Sequence, residues 1–119
     1  MSAPRMTIDE QDGIHIAAFA EDINLDAVNL DAVRPELYAL VESAQGGQVV
    51  LDLENVAFLS SDALGCLLAI RLKAVRADAR LVLAGVREHL KAILNLTQLD
   101  QMFEVYATRA EALAQLAAG

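Results

Sequence analysis

The sequence predicts an α/β fold: a mixed, mostly parallel β-sheet of about four to five strands packed with about four α-helices. Three observations lead there. Short apolar runs at residues 49–53 (Val-Val-Leu-Asp-Leu) and 80–85 (Arg-Leu-Val-Leu-Ala-Gly) read as buried strands. Each is followed by apolar residues at helical spacing, in 63–75 and 86–96. Strand and helix patterns then alternate along the chain as β-β-α-β-α-β-α-β-α with short loops, which is how parallel strands with crossover helices are written.

In chain order, Met1 to Arg5 reads as a flexible tail, with Pro4 discouraging early structure. Residues 6–10 alternate like an edge strand. Gln11-Asp12-Gly13 is a turn signal, and 14–19 is the return strand of a hairpin, with Ile14 and Ile16 on one face and His15 on the other. Leu25-Asp26-Ala27-Val28-Asn29 is echoed by Leu30-Asp31-Ala32-Val33-Arg34, two copies too short to make a repeat protein. Asp31 is the expected helix cap, placing Pro35 in the first turn, where its missing N–H costs least. Leu37, Leu40, Val41 and Ala44 continue one apolar face until Gly46-Gly47. The central helix carries Leu64, Leu67, Leu68, Leu72 and Val75 at helical spacing. Leu90, Ile93 and Leu94 mark the next helix, and 103–106 a short last strand. Residues 108–118 close the chain as a helix, with Thr108 and Glu111 spaced as a capping box and Ala110, Leu113, Ala114 and Leu116 as its stripe. Residues 6–118 are expected to form one domain, since no linker interrupts them.

Composition narrows the function. The 119 residues are 55% hydrophobic, with three Phe, two Tyr and no Trp, so Leu, Val, Ile and Ala must fill the core. A net charge of −8 argues against nucleic acid, whose phosphates require Lys and Arg, and against an anionic membrane surface. One cysteine excludes an internal disulfide and suits a reducing cytoplasm. Neither a signal peptide nor a membrane-length apolar run is expected.

Chemistry concentrates at Leu59-Ser60-Ser61-Asp62-Ala63, where a strand hands over to a helix. Hydroxyl and carboxylate side chains there accept hydrogen bonds from the free N–H groups of the first turn. In open α/β sheets binding also collects at the carboxyl ends of strands. Asp52 and Glu54, two apart at a strand end, read as one structural carboxylate capping loop amides and one solvated acid. No metal site is expected: His15 and His89 follow no ligand spacing. Cys66 reads as a buried, inert thiol. No glycine-rich phosphate loop occurs, so no catalytic residue and no cofactor are expected.

The string Val49-Val50-Leu51-Asp52-Leu53, then Val56-Ala57-Phe58-Leu59-Ser60-Ser61-Asp62-Ala63-Leu64-Gly65, resembles the signature of the STAS domain of bacterial anti-sigma factor antagonists. The family form is an apolar strand ending Asp-Leu, then Val-x-Phe-hydrophobe-Asp-Ser-Ser-Gly-Leu-Gly and an apolar helix. The resemblance takes in the opening hairpin, the Pro-containing first helix and the flanking strands. It implies a STAS fold and a cytoplasmic, non-enzymatic switch. An anti-sigma factor that is also a serine kinase of GHKL type would bind the unmodified protein and release the phosphorylated one, and a serine phosphatase would reset it. Ser60 stands where the family has Asp, Ser61 where it has the phosphoacceptor, Asp62 at the second serine and Ala63 at the glycine. Ser61 is the implied acceptor, with Ser60 second; Leu59, Ser60, Ser61, Asp62, Ala63 and Gly65 are the implied partner contacts, and Asp52 the supporting carboxylate. The alternative is a STAS scaffold subunit of a stress-sensing or lipid-transport assembly, without a phosphorylation cycle.

Overall fold

The computed structural model describes residues 5–118. Residues 1–4 of the tail expected over Met1 to Arg5 lie outside them. Arg5 is held, its carbonyl accepting from the Ala20 N–H at 2.9 Å and its guanidinium donating to Asn29 at 2.7 Å.

A five-stranded sheet runs β1 (Met6–Gln11), β2 (Ile14–Phe19), β4 (Gln48–Asp52), β6 (Arg80–Ala84), β7 (Glu104–Tyr106). The β1–β2 hairpin is antiparallel and every other pair is parallel. Its turn, Asp12-Gly13, has φ of 52° and 81°, the doubly positive geometry that suits the twist of a hairpin. Three helices, α1 (Ala27–Ser43), α2 (Ser61–Arg76) and α3 (Glu88–Leu96), cover one face, and α4 (Arg109–Ala117) covers the other. On β4, Val49 and Leu51 face the three-helix side while Val50 meets Ala112 and Leu116 of α4, so the strand is apolar on both faces.

Two elements depart from the sequence expectation. A second, two-stranded parallel sheet pairs β3 (Ile23–Leu25) with β5 (Val56–Leu59). Both runs are too short for periodicity to reveal. The first helix starts at Ala27, not after Asp31: the Asp26 carboxylate caps it, accepting from the Asn29 N–H at 3.0 Å. Pro35 therefore lies inside the helix. Both copies of the duplicated segment offer a capping Asp. Burial decides, because Leu30 and Val33 reach the core only if the helix is already under way.

In α4 the buried residues are Ala112 and Leu116, with Ala114 left exposed. Thr108 caps it as expected, accepting from the Glu111 N–H at 3.1 Å.

Gly85 joins β6 to the next helix with φ +70°. A Cβ there would lie 3.1 Å from the Glu54 Cβ and 3.2 Å from Asp52 Oδ1. Gly85→Ala is expected to destabilise by about 1–3 kcal/mol, as strained left-handed backbone does, and a urea melt would measure it.

Arg80 grips Glu104 across β6 and β7 with bonds of 2.9 and 2.7 Å, and the Tyr106 hydroxyl donates to the same carboxylate at 2.9 Å. The Arg80 bonds hold the Glu104 carboxyl below its usual range against its partial burial. A lowered carboxylate adds stability above its unfolded pKa and loses it as pH falls through the folded one. Glu104→Gln should therefore cost less than about 1 kcal/mol at pH 7, since the pair is partly solvated. That deficit should vanish as acid protonates Glu104 in the parent, which paired melts across the acid range would show.

Candidate functional site

The site is built where β5 becomes α2. Leu59 ends the strand buried at 4% exposure, and Ala63 sits in the first turn of the helix at 1%. Neither side chain is presented to a partner, in contrast to the expectation for both; they are the anchors of the segment. Between them, Ser60 is fully engaged. Its N–H donates to the Leu25 carbonyl at 3.0 Å, its carbonyl accepts from Leu64 N–H at 3.1 Å, and its Oγ accepts from Ala63 N–H at 3.1 Å. Ser60 is the helix cap. Ser61, the first residue of α2, is exposed, and its hydroxyl makes no hydrogen bond to any described residue. Asp62 is exposed beside it, in the turn where the helix dipole favours an acid.

The pairing of Leu25 with Leu59 sets the starts of α1 and α2 side by side, because Asp26 and Ser60 follow those two residues. Exposed apolar groups gather nearby: Val28 on α1 and Phe58 on β5.

The surface of α2 is not the one its apolar spacing suggested. The helix buries Ala63, Cys66, Leu67, Ile70 and Ala74. Leu68, Leu72 and Val75 are 36%, 53% and 63% exposed. With Ser61 and Gly65 they repeat every three or four residues, forming one outward stripe that runs from the free hydroxyl down the helix. Gly65 is exposed, and a Cβ there would meet nothing within 4 Å. The fold itself does not require that glycine.

Asp52 is 5% exposed and both its oxygens are used: Oδ1 accepts from Glu54 N–H at 3.0 Å and Oδ2 from Arg109 Nε at 2.7 Å. The carboxylate ties α4 to the end of β4 and caps the following turn. Its support is structural. Among the described residues no group of three or more His, Cys, Asp or Glu is placed to hold a metal. Cys66 is buried, and burial pushes its thiol up, against the opposing pull of Arg34 and Tyr38.

Two further residues frame the site: His89, which sequence reasoning set aside, and Arg87, which it did not single out. His89, in the first turn of α3, places Nε2 2.7 Å from the Ala57 carbonyl of β5. Arg87 donates to the Glu54 carbonyl at 3.0 Å and to Asp22 at 2.9 Å. No local signal marks either, because their partners lie 32 to 65 residues away.

A family model for the STAS domain matches residues 5–112. BtrV of Bordetella bronchiseptica, provisionally named an anti-sigma factor antagonist, is 27% identical over 110 residues, 92% of each chain. The anti-sigma-factor antagonist (STAS) domain protein of Planctomyces limnophilus superposes with a TM-score of 0.88 at 21% identity, over 94% of this chain and 97% of that one. The Bacillus cell fate determinant SpoIIAA, in its phosphorylated form, superposes with a TM-score of 0.70 at 14% identity, over 92% and 97%.

The two serines should separate cleanly in thermodynamics. Ser60→Ala removes a cap and is expected to cost about 1 kcal/mol. Ser61→Ala should stay within about 0.5 kcal/mol of the parent, as surface changes do. Equal losses in chemical melts would contradict this division of roles.

Proposed function

The chain belongs to the STAS domain family, and from that membership we propose that it is an anti-sigma factor antagonist. In this reading residues 6–118 act as one cytoplasmic, non-enzymatic domain whose binding is switched by a phosphate on Ser61. Unmodified, it docks on an anti-sigma factor that is also a serine kinase of GHKL type, and so frees a sigma factor. Phosphorylated, it lets go, and a serine phosphatase restores it. The kinase brings the nucleotide and its metal; this chain brings the acceptor and the surface.

One observation carries the reading: an exposed hydroxyl, unbonded among the described residues, stands at the head of an exposed apolar stripe, while its neighbour Ser60 is occupied as a cap. Exposed apolar groups in a row mark a protein contact more often than scattered ones do. BtrV, by its name, and SpoIIAA, by its phosphorylated form, support the same direction. The contact residues reduce to Ser61, Asp62, Gly65, Leu68 and Leu72, with Phe58 at the edge, since Leu59 and Ala63 are core.

The switch follows from charge. Phosphoserine carries about −1.5 to −2 charges at neutral pH. At the first residue of α2 it lies at the positive end of the helix, worth about 0.3–1 kcal/mol in its favour, so the fold persists. A partner surface shaped for a neutral hydroxyl meets misplaced charge, at a cost of several kcal/mol, and each 1.4 kcal/mol is tenfold in affinity. The neighbouring Asp62 adds to the repulsion.

The test is incubation with candidate kinases and ATP, followed by mass spectrometry of the peptide spanning both serines. Phosphate is expected on Ser61 in the parent and is expected to be absent in Ser61→Ala. Phosphorylated protein, or Ser61→Asp, should bind the kinase about a hundredfold more weakly with an unchanged melting temperature. Leu72→Asp should also weaken binding without unfolding. Unaltered affinity in phosphorylated protein overturns the switch. Capture of transporter subunits or scaffold homologues, with neither serine modified, favours the scaffold alternative.

A further inference from the structure

The small sheet that delivers the acceptor is irregular at one residue. Ile23 of β3 lies opposite Val56 of β5, but Asn24 lies opposite Phe58, so Ala57 has no partner on β3. This is a bulge, a local step that bends a strand and re-aims the side chains beyond it. Its carbonyl oxygen is met by His89 Nε2 at 2.7 Å. A carbonyl can only accept, so Nε2 carries the proton; neutral His89 is the Nε2–H tautomer with a bare Nδ1, and the imidazolium donates equally well.

The strand needs such a hold. It has four residues, in a two-stranded sheet separate from the main one, and two-stranded sheets are marginal by themselves. Val56 and Leu59 anchor its ends in the core, whereas Ala57 is half-buried and Phe58 is exposed. Arg87, two residues before His89, grips the approaches to both strands through Asp22 and Glu54. The start of α3 thus holds the small sheet at its base and at its bulge.

We propose that His89 is a positioning residue for the phosphoacceptor: by pinning the Ala57 carbonyl it fixes the bulge three residues before Ser60, and with it the direction in which β5 presents Ser61. The role rests on the reading of Ser61 as acceptor, and it requires no contact between His89 and the hydroxyl.

The test uses His89→Ala and His89→Gln, the second because a Gln amide can donate from about the place of Nε2. In unmodified protein without kinase, His89→Ala should speed amide exchange across residues 57–61 by about fivefold, the effect of one lost net hydrogen bond. His89→Gln should restore most of the protection. Long-range proton–nitrogen spectra of the parent should show the Nε2–H tautomer. With the kinase, His89→Ala should lower kcat/KM for Ser61 phosphorylation by a similar factor, with rescue by Gln. Unchanged exchange at 57–61 in His89→Ala, or an Nδ1–H tautomer in the parent, overturns the proposal. A parent that no kinase phosphorylates overturns the acceptor reading instead, and the exchange data tell the two failures apart.

Discussion

The site depends on two buried side chains four residues apart. Leu59 closes β5 and Ala63 opens the core-facing side of α2, and both are withdrawn from solvent. The chain between them has little freedom: it must turn from strand to helix over three residues with its ends fixed. Ser60 satisfies the turn by using its N–H, its carbonyl and its hydroxyl. Ser61 is then forced outward at the helix start. Exposure of the hydroxyl is thus a consequence of apolar burial on either side of it.

The same geometry makes the position tolerant of charge. The first residue of a helix lies where free N–H groups and the dipole favour an anion, so a phosphate there need not disturb the packing below. Its effect falls on whatever docks outside. A buried serine could not serve this way, because burying an unpaired charge would unfold the scaffold. Two adjacent residues thus differ in kind: Ser60 caps the helix and is held in the fold, while the Ser61 side chain is exposed.

The apolar stripe of α2 shows how much a sequence pattern leaves open. Leu64, Leu67, Leu68, Leu72 and Val75 fit helical spacing, and so do Ala63, Cys66, Leu67, Ile70 and Ala74. The second set is the buried one. Three of the five buried residues, Ala63, Cys66 and Ala74, are small, and α1 packs against this helix. Leu68, Leu72 and Val75 are left outside, as a row of exposed apolar groups.

The sequence by itself determined the fold class, the central strand, the presence and order of four helices and the hand-over at Ser60 and Ser61. Those rest on local signals: periodicity, turn glycines and capping side chains within a few residues of what they cap. The tertiary structure alone decided which serine is the cap, which face of α2 is buried, where the first helix starts between two equivalent Asp caps, and that β3 pairs with β5. Each of these is settled by a contact between residues far apart in the chain, such as Leu25 with Leu59 and Ser60, or His89 with Ala57. Such contacts form only once the core has brought the elements together, and local spacing carries no trace of them.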